Sequence, residues 1–205
     1  MNYYIDFDNT LYNTSLLTNK MLNSIAEYIK EKNNLNFEEL YQECKSMFNR
    51  NNIYNIYELA KYLSTKYNLQ TSLLINNLNK IILDGSDFVF EDTIPFLKKL
   101  KENGHKIYLL TYCEDSLEYQ SMKIAGSKLS DFFDALYITS IPKYNLDIDY
   151  TNGIFIDDNP DDLLGLYSKN PKQVIRLKRT KNKYSLKNLN TNIQTYFNFN
   201  EITII

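Results

Sequence analysis

The stretch YYIDFDNTLYNT, residues 3–14, sets Asp6 and Asp8 two positions apart directly after a short apolar run. Two carboxylates that close repel each other, so the arrangement is costly unless a cation or a reaction uses it. The preceding Tyr3-Tyr4-Ile5 reads as part of a buried strand over about 3–7, which puts both acids at that strand's carboxyl end. What the rest of the chain brings to this point decides its meaning.

Downstream of the first strand the pattern turns helical. SLLTNKMLNSIAEYIKEKN (15–33), NFEELYQECKSMFN (36–49), NIYELAKYLSTKYN (55–68) and QTSLLINNLNKIILDG (70–85) read as about four helices. Asn36 with Glu39 three residues on suits the start of the second, and Gly85 a stop for the fourth. From residue 92 the rhythm changes to alternating elements. EDTIPFLKKLKENG, DSLEYQSMKIAGSKL and PDDLLGLYSKN read as helices; HKIYLLTYC, DALYIT, NGIFIDD and QVIRLKR read as strands. Strand–helix alternation predicts an α/β parallel sheet with helices on both faces. The predicted core is thus residues 1–14 and 89–205, interrupted by a helical insertion over 15–88. The tail from about 180 is polar until ITII, which reads equally as a strand or a docked end.

Composition narrows the function classes. The chain has 205 residues, 43% hydrophobic and 23% charged, enough to bury a core, with a formal net charge of -2. That balance offers no footprint for a nucleic-acid polymer, and no apolar run reaches the roughly 18 residues of a membrane span. The start, Met1-Asn2-Tyr3-Tyr4, lacks the basic and apolar regions of a signal peptide, which predicts a cytoplasmic protein. Cys44 and Cys113 belong to no metal or CxxC spacing and read as free thiols. His105 is the lone histidine, so a His-centred triad would have to be built on it; just past Gly104 and before a strand, it suits a surface or capping role instead. Neither GxxxxGK[ST] nor GxGxxG occurs.

In open parallel sheets, ligands bind beyond the carboxyl ends of the strands. Here those ends carry Asp6 and Asp8, then Thr111, then Asp157 and Asp158 followed by Asp161 and Asp162, with Lys143 in the loop after LYITS. Singly, each has a bland explanation: DxD pairs end turns, DNPDD starts helices, and most lysines are solvated. Their convergence suits phosphoryl transfer assisted by a hard cation. Asp6, Asp8 and Asp158 can gather around Mg²⁺, one carboxylate can attack phosphorus, and a second can serve as acid and base. The Thr111 hydroxyl and the Lys143 ammonium would hold phosphoryl oxygens.

These motifs resemble the haloacid dehalogenase (HAD) superfamily of phosphatases. YYIDFDNTL resembles its first motif, hhhDxDxT; IYLLT resembles the second; GIFIDDNPDD resembles the fourth, and SDFFDALYIT resembles the stretch before the third-motif lysine. The resemblance implies a Rossmann-like core with an inserted helical C1-type cap. It implies Asp6 as nucleophile and metal ligand, and Asp8 as general acid/base that offers its backbone carbonyl to Mg²⁺. Asp158 would be a direct metal ligand, Thr111 and Lys143 the phosphate-binding pair, with Thr10, Asp157 and Asp162 in support. Asn9 stands where the family often has Gly, and Asn tolerates the left-handed turn. Tyr112 follows Thr111 where a small or amide residue is common. Lys143 precedes Asp157 by about fourteen residues, too few for the helix many members place there, and Lys128 is the rival lysine. That short return is similar to the 5'(3')-deoxyribonucleotidase branch. Response-regulator receivers use the same parts but put the acidic pair on the first strand, so the order here excludes them.

The expected activity is Mg²⁺-dependent hydrolysis of a small soluble phosphate ester through an aspartyl-phosphate. The alternatives are a non-catalytic phosphate- or metal-binding protein and a phosphomutase on the same scaffold. In the insertion and its approach, Tyr12, Tyr54, Tyr57 and Tyr62 could stack on a base or sugar ring, or pack helix on helix.

Overall fold

The computed structural model describes residues 1–50, 55–113, 116–179, 184–189 and 192–204, and contains two compact units. One comprises Met1–Ser15 with Ser86–Ile205, the other Leu16–Gly85.

The first unit is built on β1 (Asn2–Ile5), β2 (Lys106–Tyr112), β3 (Ala135–Thr139), β4 (Gly153–Asp157), β5 (Gln173–Leu177) and β6 (Gln194–Tyr196). They form one six-stranded sheet in the order β3-β2-β1-β4-β5-β6, parallel at every junction. β1 is therefore central, with Ile5 beside Leu109 of β2 and Ile156 of β4. Because strand side chains alternate, Tyr4, Leu110, Phe155 and Val174 share one face, where Leu163 and Leu166 of α7 (Pro160–Tyr167) pack on them. Tyr4 lies stacked between Tyr108 and Phe155, with centroids 4.8 and 4.7 Å away. The intervening residues, Ile5, Ile107, Leu109 and Ile154, are buried on the other face. The buried side of α5 (Thr93–Glu102), which packs on β2, is Phe96, Leu97 and Leu100. The expected α/β architecture stands.

Three details differ from the sequence reading. β1 ends at Ile5 rather than residue 7, although the Asp6 N–H still donates to the Ile156 carbonyl at 2.9 Å. Past it, the Phe7 carbonyl accepts from Leu11 and Tyr12 N–H, so the acids sit on a tight turn instead of in the ladder. β6 was not legible in the tail: three residues, Gln-Thr-Tyr, carry no apolar alternation, yet they pair with Ile175–Leu177. The closing residues 202–204 join no strand; before them, Phe199 is buried and stacks on Phe96 at 4.3 Å.

The second unit consists of helices α1 (Thr14–Asn33, which begins at the boundary), α2 (Phe37–Arg50), α3 (Ile56–Lys66) and α4 (Thr71–Leu83). Their spaced apolar residues, including Leu17, Ile25, Leu59, Leu63, Leu74 and Ile82, are buried. Asn36 caps α2 as read, its side chain accepting from Glu38 N–H at 2.9 Å. α4 stops at Leu83, short of the expected Gly85, because the chain tightens there into a 3-10 turn over Gly85–Phe88. Tyr57 donates to Asn79 at 2.6 Å, Tyr62 is exposed, and Tyr54 lies outside the described residues. Tyr12 is fully buried and stacks on Phe7 at 4.8 Å, so its ring serves packing in the first unit. Among the described residues, no helix is long and apolar enough to cross a membrane.

Candidate active site

Asp6, Thr111, Asp157 and Asp158 all stand at the carboxyl ends of the three central strands, and Lys143 reaches them from the β3–β4 connection. That connection is short, as read. It is bridged by a 3-10 turn over Lys143–Asn145, without a helix. Two contacts fix the turn. The Tyr150 hydroxyl is 2.9 Å from the Lys143 carbonyl and 2.7 Å from that of Leu146. The Tyr144 ring lies against α7 at Gly165, where an added Cβ would come within 2.0 Å of it. Only the bare glycine lets the turn sit this close. Gly165→Ala is therefore expected to displace Tyr144 and the neighbouring Lys143, lowering stability by about 1–3 kcal/mol in urea denaturation. A variant as stable as the parent would show that the turn can shift freely.

Lys143 is 2% exposed, and its ammonium lies 2.6 Å from Asp6 Oδ1 and 2.6 Å from Asp157 Oδ2, with Asp162 Oδ2 at 3.9 Å. Burial opposes its charge, but Asp157, Asp6 and Asp162 together raise its pKa above the ordinary lysine value. The rival, Lys128, is an exposed residue at the C-terminal cap of α6 (Leu117–Ser127), in left-handed conformation with φ 58°. The geometry brings Lys143, and not Lys128, to the acids.

Asp6, Asp157 and Asp158 are all buried, and one carboxylate oxygen from each lies within 4.8 Å of the others. Burial raises the Asp6 carboxyl well above its usual range; Lys143 opposes this, while Asp157 and Asp8 add to it. Asp158 is raised for the same reason, burial first, then repulsion from Asp6 and Asp157. One ammonium thus leaves the cluster with excess negative charge. A buried, all-oxygen set of this kind fits a hard divalent cation. Within the set, Asp157 is already engaged: Oδ2 by Lys143 and Oδ1 by the Asn159 N–H at 2.8 Å. Asn159 also caps α7, accepting from Asp161 N–H at 3.1 Å, while its amide donates to Asp162 Oδ2 at 2.9 Å.

The Asp8 carboxylate stands apart from that group. Its Oδ1 accepts from the Thr14 hydroxyl and from the Lys123 ammonium at 2.5 Å, and its Oδ2 from the Gln120 amide at 2.8 Å. Burial would raise its pKa, but Lys123, with the hydrogen bonds from Thr14 and Gln120, holds it below the ordinary carboxylate value. Gln120 Nε2 also donates to Thr111 Oγ1 at 2.9 Å. Sequence reasoning missed both Lys123 and Gln120. A signal existed, since positions 120, 123, 124 and 127 form the buried stripe of α6, and only Ile124 of these is apolar.

Asn9 adopts the left-handed turn with φ 58°. Thr10 is buried, but its hydroxyl has no partner among the described residues. What holds the loop here is its carbonyl, which accepts from Arg179 Nη2 at 3.1 Å and Nε at 3.3 Å. Arg179 in turn makes a two-point pair with Asp92, 2.8 Å at each contact, and Asp92 accepts the Phe199 N–H at 2.7 Å. Arg179 was not singled out from the sequence. His105 immediately precedes β2, its Nδ1 3.3 Å from the chain's amino terminus, at the end of the sheet opposite the acids.

Residues 3–166 match the haloacid dehalogenase-like hydrolase family. The chain belongs to it. Solved structures of this HAD hydrolase's fold include a HAD phosphatase from Thermococcus onnurineus, at TM-score 0.62 and 17% identity, covering 98% of this chain and 94% of that one. The HAD hydrolase YfnB from Bacillus subtilis, bound to magnesium, aligns at TM-score 0.60 and 13% identity over 98% and 95% of the two chains. A structure named as a β-phosphoglucomutase from Thermotoga maritima aligns at TM-score 0.58 and 13% identity over 85% and 84%. At these identities the likeness is one of fold. No curated protein matches the chain in sequence.

Proposed function

We propose that this HAD hydrolase is a Mg²⁺-dependent phosphomonoesterase acting on a small phosphate ester through a phosphorylated Asp6. The observation that carries the reading is the Asp6 carboxylate, buried and gripped at Oδ1 by Lys143, with the clasped Asp8 two residues on. Asp6 and Asp158 carboxylates, with the Asp8 backbone carbonyl, would hold Mg²⁺. When bound, the cation would neutralise phosphoryl oxygens and the surplus charge of the cluster.

Lys143 on Oδ1 orients Asp6 so that its other oxygen attacks phosphorus in line, and the bond to the leaving oxygen breaks as the new P–O bond forms. The ion pair with Lys123 keeps Asp8 ionised in the resting site. Asp8 therefore takes up a proton from water when the anionic ester binds beside it and raises its pKa. It passes that proton to the leaving oxygen, releasing the alcohol. It then takes a proton from water, whose oxygen attacks phosphorus and breaks the bond to Asp6, freeing inorganic phosphate. Because Gln120 donates to Thr111 Oγ1, the hydroxyl hydrogen of Thr111 is left to bond a phosphoryl oxygen. Lys143 offsets the charge that develops there. The helical unit that interrupts the core in sequence is read as a C1-type cap, which favours small substrates over polymers. The short β3–β4 return, similar to the deoxyribonucleotidase branch, places nucleoside monophosphates first in the panel to be tried.

Phosphate release from nucleoside monophosphates, sugar phosphates and phosphoglycolate, with Mg²⁺ and with EDTA, tests the reading. Release is expected with Mg²⁺, about 10²-fold less with EDTA, and restored on re-addition. Release indifferent to EDTA would remove the cation from the proposal. No release from any ester would favour a binding protein or a mutase.

A further inference from the structure

We propose that Lys123 and Gln120 are the positioning residues of the acid/base: from one face of α6 they hold the Asp8 carboxylate for proton transfer to the leaving oxygen and tie it to Thr111. This rests on the phosphatase reading above, in which Asp8 is the proton donor.

Three observations support it. First, Lys123 is 3% exposed, and its ammonium is surrounded by Asp8 Oδ1 at 2.5 Å and by the rings of Tyr119 and Phe7, whose centroids are 5.0 and 6.0 Å away. A lysine on a surface helix ordinarily extends its charge to water. A buried ion pair adds little stability over well-packed apolar residues of the same size, so stability alone gives no reason to keep this one. Second, the three donors divide the carboxylate between them: Thr14 and Lys123 on Oδ1, Gln120 on Oδ2. Donors on both oxygens fix the plane of the group, which a single pair would leave free to rotate. Third, Gln120 and Lys123 are three residues apart and so share a helix face, and the two hydrogens of one Gln120 amide serve Asp8 and Thr111 together. The proton donor and the phosphate-binding hydroxyl are therefore set at a fixed spacing by one rigid helix. α6 is itself anchored by Ser116, whose hydroxyl accepts from Tyr119 N–H at 2.9 Å.

A residue that only fills space would not distinguish leaving groups; one that positions a proton donor would. The probes are phenyl phosphate and 4-nitrophenyl phosphate, nearly equal in shape. Phenolate, with a pKa of about 10, needs a proton to leave, and 4-nitrophenolate barely does. The parameter is kcat/KM, which reads events through loss of the leaving group. Lys123→Met is expected to lose about 10²-fold on phenyl phosphate and less than about 5-fold on 4-nitrophenyl phosphate. Lys123→Arg should recover about tenfold of the phenyl phosphate loss by keeping a charged donor. Equal losses on both esters, or no loss on either, would overturn the positioning role. Should Lys123→Met fail to fold, Gln120→Met leaves the ion pair in place and is expected to show a selective loss of about tenfold; without that selectivity the proposal is wrong. Asp6→Asn is run beside them. If it retains hydrolysis, or the parent releases no phosphate, the phosphatase reading fails and this one with it; if only the selectivity is missing, the phosphatase reading stands.

Discussion

Asp6→Asn is expected to lower kcat/KM for phosphate release by at least about 10³-fold, some 4 kcal/mol of barrier, while leaving the protein folded. The amide is close in shape to the carboxylate but lacks the anionic oxygen that bonds phosphorus in the proposed mechanism, so covalent turnover would stop. Stability should move the other way or not at all. Asp6 is a buried carboxylate beside Asp157 and Asp158, and removing its charge relieves repulsion that burial amplifies. Lys143 is not orphaned by the change, since Asp157 Oδ2 remains at 2.6 Å. A melting temperature equal to or above that of the parent, with activity gone, is the combined signature of a residue kept for chemistry. Activity above a tenth of the parent's would defeat the nucleophile assignment. A large drop in stability would mean that Asp6 contributes mainly as the counter-ion of Lys143.

How much of this was legible in the sequence follows from which interactions are local. The strand-end acids could be read because each follows an apolar run within a few residues, and a parallel sheet gathers such ends at one edge. Lys143 could be read by its place after LYITS, although the means of its delivery could not: the close seat of Tyr144 on Gly165 joins two segments whose proximity only the fold creates. The Arg179–Asp92 pair is likewise invisible in sequence, since its partners lie 87 residues apart and meet behind the Thr10 carbonyl. β6 escaped because pairing at the edge of a sheet asks only for extended backbone, and Gln194–Tyr196 offers no apolar pattern to betray it. Lys123 and Gln120 are a different case. Polar residues on a helix's buried stripe are a signal in themselves, but reading it requires asking what buried charge they answer, and Asp8 lies 115 residues from Lys123.

Lys143→Met is the complementary substitution, and it should damage both activity and stability. Its ammonium is shared by Asp6 and Asp157 at 2.6 Å each, with Asp162 beyond them, inside a site where the lysine is 2% exposed. Methionine fills much of the space but strands buried acids without their counter-ion, and breaking a buried pair from one side costs about 3–5 kcal/mol. Protonation of the acids would reduce that cost, and so would a divalent cation. The stability deficit is therefore expected to be largest in EDTA and to shrink as Mg²⁺ is added, because a ligand that binds only the folded state stabilises it by an amount that grows with the logarithm of its concentration relative to Kd. Phosphate release should fall by at least about 10²-fold even with saturating Mg²⁺, since in the proposed mechanism the cation does not replace the Lys143 ammonium as a donor to the transferring group. Lys128→Met, at the exposed end of α6, should change neither quantity. If Lys128→Met impaired release and Lys143→Met did not, the phosphate-binding lysine would be the wrong one. If Lys143→Met lost activity with no loss of stability in EDTA, the buried acids would have to be held by something other than this ammonium.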